Sequence, residues 1–157
     1  MFPMLQKISK KNIVLRGGRF AIAASTYNPR YVDAMVRAAK AEILRAGGAV
    51  QIVRVPGAYE IPVVAARLAR AKIFSGIICL GVILRGATTH AQHIGEAVSN
   101  ALVQIQIQHE VPVIHEVLLL ENEQQAKERC LSRTHNRGTE AAQTALAMAR
   151  VMKSLHG

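Results

Sequence analysis

The stretch "GIICLGVIL", residues 76–84, is a continuous apolar run, and "RGATTHAQHIGEA", residues 85–97, follows it directly. A strand without polar alternation is typical of the centre of a parallel sheet, where helices cover both faces. The glycine and threonines after it interrupt the apolar run, and helical spacing begins near Thr89 or His90. Together the two stretches predict a buried strand, a short polar loop and a helix at the centre of an α/β domain.

The same alternation of strand and helix continues through the chain from Phe20 onward. Four strands joined by helices predict a three-layer α/β/α sandwich with a central, mainly parallel four-stranded sheet, a flavodoxin-like arrangement. We expect a basic N-terminal arm over residues 1–19 and a single domain over residues 20–157. The predicted strands are 20–25, 49–55, 76–84 and 111–120, and the predicted helices are 30–46, 61–71, one that starts near 89–90, 122–131 and 138–155.

Helical periodicity also predicts which side chains of two helices face the core. The predicted apolar positions of the first helix are Tyr31, Ala34, Met35, Ala38, Ala41 and Ile43. Those of the helix after the polar loop are Ile94, Ala97, Val98, Ala101, Leu102 and Ile105.

Composition excludes several classes of protein. Half of the 157 residues are hydrophobic, which argues against a disordered chain. No apolar run approaches the roughly 20 residues that span a bilayer, and the N-terminus has no signal-peptide pattern, so we expect a cytoplasmic protein without a membrane partner. Two cysteines do not make a disulfide scaffold, and Cys79 and Cys130 are expected to be reduced and structural.

The formal net charge of +10 is concentrated near the N-terminus, because residues 1–19 carry five basic side chains and no acid. Such an arm can bind phosphate or nucleic acid nonspecifically, or it can be a solvated tail. The chain has no nucleic-acid-binding motif and no interleaved basic and aromatic residues, so a solvated tail is favoured and a nucleic-acid partner is not expected.

Unusual chemistry is concentrated in the turns that follow the predicted strands. In an open parallel sheet, ligands bind outside the carboxyl ends of the strands. A single composite site is therefore predicted from four stretches: "STYNPR" (25–30), "VPGAYEIP" (55–62), "RGATTHAQH" (85–93) and the region after "EVLLL" (116–120).

The loop 85–93 allows three interpretations. It is the capped start of a helix with surface histidines, with Thr88 or Thr89 as the cap, or it is a metal site, or it is a general base beside an anion-binding loop. Backbone N–H groups at a helix N-terminus bind anions, and a neutral imidazole there is a competent base near pH 7. A metal is not expected, because His90 and His93 have no third ligand at a recognisable spacing, and His93 is predicted to be an ordinary helix residue.

The other turns also leave alternatives open. Glu60 either starts a helix or accepts hydrogen bonds from a polyhydroxylated ligand, and Tyr27 either packs on the first helix or stacks on a heterocycle. Arg129, Arg133 and Arg137 are four residues apart, which is typical of a solvated helix face, although an arginine fork also suits a phosphate.

Four separated stretches resemble the lumazine synthase family (6,7-dimethyl-8-ribityllumazine synthase, an enzyme of riboflavin biosynthesis). They are Tyr27-Asn28, "VPGAYEIP" at 55–62, "GVILRGATTHAQHIGEA" at 81–97 and "AKERCLSRTHNRG" at 126–138. The resemblance implies a transferase that condenses 5-amino-6-ribitylaminouracil with 3,4-dihydroxy-2-butanone 4-phosphate, releasing phosphate and water and using no cofactor. It also implies a functional link to riboflavin synthase.

The resemblance further implies a homopentamer, with hollow shells of 60 chains allowed and each site shared between neighbouring subunits. The N-terminal arm is then a candidate extra strand on a neighbouring subunit. The site positions that the family pattern matches are Tyr27, on the pyrimidine; Ala58, Tyr59 and Glu60, on the ribityl chain; Val82, Ile83 and Leu84, on the pyrimidine edge; Ala87, Thr88 and Arg129, on phosphate; and His90, for proton transfer.

The chain departs from the family pattern in three places. Tyr27 replaces a phenylalanine or tryptophan, and Ala91-Gln92 replaces an aromatic–acidic pair whose acid helps to orient the histidine. His115 stands where a neighbouring subunit contributes a phenylalanine to the pyrimidine pocket. These departures leave open an alternative function, a catalytically weakened flavin- or pyrimidine-binding homologue that acts as a carrier or regulator.

Overall fold

The structure, a computed structural model, describes residues 18–155, and it confirms the predicted alternation of strands and helices. The N-terminal arm lies almost entirely outside these residues, and Arg19 at its predicted end begins the first strand. The elements are β1 (Arg19–Ser25), α1 (Pro29–Arg45), β2 (Ala49–Val55), a 3₁₀ turn (Ala58–Glu60), α2 (Ile61–Arg70), β3 (Gly76–Leu84), α3 (His90–His109), β4 (Val113–Leu120), α4 (Glu123–Cys130) and α5 (Arg137–Ser154).

The four strands form one parallel sheet in the order β2-β1-β3-β4. The chain proceeds from β1 to β2 on one side of the sheet, and from β3 to β4 on the other. The carboxyl ends of β1 and β3 therefore flank the point where the strand order reverses. In doubly wound folds this reversal opens the crevice in which ligands bind.

Helices cover both faces of the sheet, as predicted for a sheet with a wholly buried centre. Phe20, Ile22 and Ile78 pack against α1, α4 and α5 on one face. Ala21 and Cys79, which point the other way, pack against α2 and α3. Both thiols are free and buried, which confirms that the cysteines are structural.

The predicted core faces of two helices require correction. In α1 the buried residues are Tyr31, Val32, Met35, Val36, Ala39, Glu42 and Ile43, whereas Ala41 is exposed and Ala34 and Ala38 are only half-buried. The small alanines do not distinguish one side of the helix from another, and the larger Val32 and Val36 determine which side packs. In α3 the predicted core residue Ala97 is exposed.

None of the helices in the described part of the chain is long and apolar enough to cross a membrane.

The backbones of α5 and α1 come very close together at Gly138, in the first turn of α5. A Cβ atom added there would lie 2.1 Å from the carbonyl oxygen of Met35 in α1. Asn136 fixes this start of α5, because its side chain accepts a hydrogen bond from the N–H of Gly138 and donates one to the carbonyl of Cys130, both at 2.7 Å. Glycine is thus required by contact between backbones.

We expect Gly138→Ala to lower the free energy of unfolding by about 3 kcal/mol or more, because a backbone must move to admit the methyl group. Gly86→Ala is the matched control, since a Cβ at Gly86 meets no atom within 4 Å. Thermal unfolding of the two variants checks this, and equal midpoints would contradict it.

Candidate active site

A cavity of about 1040 Å³ opens at the carboxyl ends of the strands, at the point where the strand order reverses. Its size suits two small organic molecules. Turns after β1 and β2, the end of β3 and the first half of α3 form its walls. The lining residues are Tyr27, Asn28, Pro56, Gly57, Ala58, Tyr59, Glu60, Val82, Ile83, Leu84, Gly86, Thr88, His90, Ala91, His93, Ile94 and Ala97.

The turn after β1 is fixed to both neighbouring strands. Its backbone N–H groups at Thr26 and Tyr27 donate to the carbonyls of Val55 and Pro56, at 2.7 and 3.2 Å. The Asn28 side-chain amide donates to the carbonyl of Val82 at 2.7 Å. Asn28 has φ 56°, a left-handed conformation that asparagine tolerates better than most residues. The family resemblance included the Tyr27-Asn28 pair, but it did not predict that the Asn28 side chain would link the turn after β1 to β3.

Two tyrosine rings of the cavity wall face open space in the single chain. Tyr27 is 73% exposed and Tyr59 is 67% exposed. Large aromatic rings at this exposure are well placed to bury their faces against a flat ligand or a second chain. Glu60 is also exposed and lines the same wall, so its carboxylate is available to hydrogen-bond donors of a ligand.

The first turn of α3 leaves backbone donors uncapped beside the cavity. Proline stands in the first turn of α1 and α2, and asparagine side chains cap α4 and α5. By contrast, Thr89 is the N-cap of α3 but its side chain makes no capping hydrogen bond. The hydroxyl of Thr88 accepts from the His90 N–H only at 3.4 Å, so the predicted threonine cap is weak. Uncapped N–H groups at a helix start suit an anion.

His93, predicted to be an ordinary helix residue, lies in the wall of the same cavity as His90. His90 and His93 both line the cavity, one turn apart on α3. Ala97, one turn further, also lines it, which explains why Ala97 is not in the core. The pattern HxxH…A could have indicated this face, because positions i, i+3 and i+7 lie on one side of a helix.

The Gln92 side chain makes its hydrogen bond to Glu96 and not to His90, the candidate for proton transfer. Its amide donates to the Glu96 carboxylate at 3.0 Å, and both residues are exposed outside the cavity lining. Within residues 18–155, no side chain makes a hydrogen bond to the imidazole of His90. The described chain thus supplies no orienting partner for His90 in place of the missing acid.

Three predicted site residues do not line the cavity. Ala87 lies between the lining residues Gly86 and Thr88. His115 is on the edge strand β4, and Arg129 is half-buried on α4, on opposite sides of the sheet. A single chain therefore brings together nine of the predicted residues and leaves these three outside.

His115 is held in one tautomer. Its Nδ1 accepts a hydrogen bond from the backbone N–H of Val117 at 3.1 Å, and its Nε2 is 2.7 Å from the hydroxyl of Ser99. The neutral ring must therefore carry its proton on Nε2 and donate to Ser99. Part of the ring reaches solvent, but its burial against the sheet lowers the pKa of His115. This pair cannot act as a nucleophile and its base, because Nε2 is already protonated.

The neighbouring residue, Glu116, points to the opposite face, toward α4 and α5. Burial raises the pKa of Glu116 to about 7, the nearby Arg137 guanidinium opposes this rise, and Glu140 adds to it. Arg137 is also paired with Glu140 at 3.3 Å. Burial and the Glu116 carboxyl together raise the pKa of Cys130 to about 11, so this thiol stays protonated at neutral pH.

Comparison with known proteins assigns the family. A family model described as 6,7-dimethyl-8-ribityllumazine synthase matches residues 17–153. A 6,7-dimethyl-8-ribityllumazine synthase of Aquifex aeolicus (strain VF5) is 38% identical over 152 residues, covering 95% of this chain and 99% of the relative. One from Stenotrophomonas maltophilia (strain R551-3) is 38% identical over 140 residues, covering 87% and 90%.

We expect Glu116→Gln to stabilise the protein at pH 8 and to have little effect at pH 4.5. The folded state keeps the Glu116 proton up to about pH 7, whereas an unfolded glutamate loses it near 4.5, so the wild-type residue becomes destabilising as pH rises through this window. Thermal unfolding should show a midpoint higher by about 2–6 °C in the variant at pH 8. A difference that is the same at both pH values would contradict the assignment.

Proposed function

The chain belongs to the 6,7-dimethyl-8-ribityllumazine synthase family, and we propose that its cavity binds the two substrates of that enzyme and orients them for condensation. The protein is accordingly a transferase of riboflavin biosynthesis. It joins 5-amino-6-ribitylaminouracil to 3,4-dihydroxy-2-butanone 4-phosphate and releases phosphate and water. The main support for placing the reaction in this cavity is a single observation. One cavity contains His90, the uncapped start of α3 and two exposed tyrosines.

The aminouracil occupies the part of the cavity bounded by β1 and β3. The exposed ring of Tyr27 stacks on the flat heterocycle, and the backbone of Val82, Ile83 and Leu84 hydrogen-bonds its edge. The turn of Ala58, Tyr59 and Glu60 binds the ribityl chain, with the carboxylate accepting from its hydroxyl groups.

The phosphate of the second substrate binds at the loop before α3. Backbone N–H groups of Ala87 and Thr88 and the uncapped first turn of α3 are the donors. His90 then stands beside the leaving phosphate, as the residue that moves protons during Schiff-base formation, phosphate elimination and ring closure. Much of the rate enhancement comes from orienting two reactants in one cavity.

Arg129 and His115 complete the site of a neighbouring subunit in a homopentamer. This assignment is supported by the position of the two side chains, since neither lines the cavity of its own chain. A bound phosphate would be stabilised by the positive charge of an arginine such as Arg129. Among residues 18–155, no strand pairs with the outer edge of β2, and this edge is where the N-terminal arm of a neighbour adds a strand. Light scattering that reports a monomer would contradict this assembly, and a mass of 60 chains would extend it to a shell.

The remaining assignments follow from the reaction. The product is the substrate of riboflavin synthase, so the two enzymes are functionally linked, and we place both in the cytoplasm. The alternative of a weakened carrier or regulator has no support in the comparisons, since the relatives reported above carry the name of the synthase.

We expect the purified protein to form fluorescent lumazine from the two substrates faster than the uncatalysed reaction. His90→Ala should slow this turnover by about 10- to 100-fold, because it removes proton transfer and leaves substrate orientation intact. Lumazine formation no faster than background would exclude the enzyme, and an unchanged rate in His90→Ala would remove that residue from its role.

Gln92→Ala is the matched control on the same helical turn. Its side chain contacts Glu96 and lies outside the cavity lining, so we expect turnover within about twofold of wild type.

A further inference from the structure

We propose that His93 is a second substrate-contacting residue of this site, held in place by Thr89, and that it hydrogen-bonds the hydroxyl groups of the ribityl chain. This inference rests on the proposed function, because that function supplies a polyhydroxylated ligand. Among the described residues, the titratable side chains that line the cavity are Tyr27, Tyr59, Glu60, His90 and His93. The reaction outlined above uses the first four and gives no role to His93.

The position of His93 follows from the geometry of α3. Three residues along the helix from His90 correspond to an axial rise of about 4.5 Å, away from the helix start where the phosphate binds. α3 packs against the 3₁₀ turn Ala58–Glu60, and Tyr59 and Glu60 of that turn line the same cavity as His93. His93 therefore belongs to the ribityl part of the cavity.

The imidazole of His93 is oriented by a single contact. Its Nε2 is 3.3 Å from the hydroxyl of Thr89, one turn earlier on the same helix. Its Nδ1 makes no hydrogen bond to any group within residues 18–155, so this nitrogen remains available in the cavity wall. Either tautomer can bind a hydroxyl group, because an alcohol both donates and accepts a hydrogen bond.

The use of Thr89 is the second observation that points to a ligand. A threonine at the N-cap ordinarily bonds a backbone N–H of the first turn, which stabilises a helix by about 1 kcal/mol. Here the same hydroxyl contacts His93 instead, and no capping bond forms. The arrangement leaves the first-turn donors open for an anion and fixes a second imidazole over the neighbouring part of the cavity.

The test compares the binding of two lumazines by their intrinsic fluorescence. One is 6,7-dimethyl-8-ribityllumazine, and the other is 6,7,8-trimethyllumazine, which has the same ring and no ribityl chain. We expect His93→Ala to weaken binding of the ribityl compound by about 5- to 10-fold, the effect of one lost neutral hydrogen bond, and to leave the trimethyl compound unchanged. His93→Gln should recover part of the loss.

Thr89→Val, which replaces the hydroxyl with a methyl group of similar size, should show a smaller loss with the same ribityl dependence, and Gln92→Ala should show none. An equal loss of affinity for both lumazines in His93→Ala would show that His93 has only a structural role and would overturn the proposal. Unchanged affinity for the ribityl compound would also overturn it, and so would a wild-type protein that binds both lumazines equally well. The proposed function is judged separately, by whether the wild-type protein forms lumazine from its two substrates.

Discussion

The reversal of strand order between β1 and β3 is the constraint on which the site depends. Because the connections leave these two central strands in opposite directions, a crevice opens at their carboxyl ends, and the cavity lies there. The Asn28 amide ties the turn after β1 to β3 through its hydrogen bond to the Val82 carbonyl. With that turn fixed in this way, the exposed ring of Tyr27 lines the same cavity as the start of α3.

Sequence reasoning succeeded where a side-chain pattern determines the local structure directly. The apolar run of β3 and the helical spacing that begins near Thr89 or His90 predicted elements that the structure confirms. It failed on the packed face of α1, because alanines at several positions fit either side of a helix until tertiary packing selects one. It also missed His93, because helical spacing shows that two histidines share a face but not that this face borders a cavity.

For the site residues, the sequence supplied the identities and the fold supplied the grouping. Nine of the predicted residues line one cavity although they come from three separate stretches of the chain. Arg129 and His115 stand apart, on opposite sides of the sheet next to its β4 edge. In the proposed assembly their place in a site depends on how a second copy packs, which neither the pattern of one chain nor its fold determines. The locked tautomer of His115 gives that surface a neutral ring, well suited to cover a heterocycle.

The claim that a neighbouring subunit completes each site is tested most directly by mixing two variants that are each impaired in turnover. His90→Ala and Arg129→Ala chains, co-expressed in equal amounts and purified as mixed oligomers, should regain wild-type sites wherever the intact His90 of one chain meets the intact Arg129 of its neighbour. Random assembly places both intact residues in about a quarter of the sites. Lumazine formation near a quarter of the wild-type rate is the predicted result. Activity no higher than the mean of the two separate variants would show that both residues act within one chain.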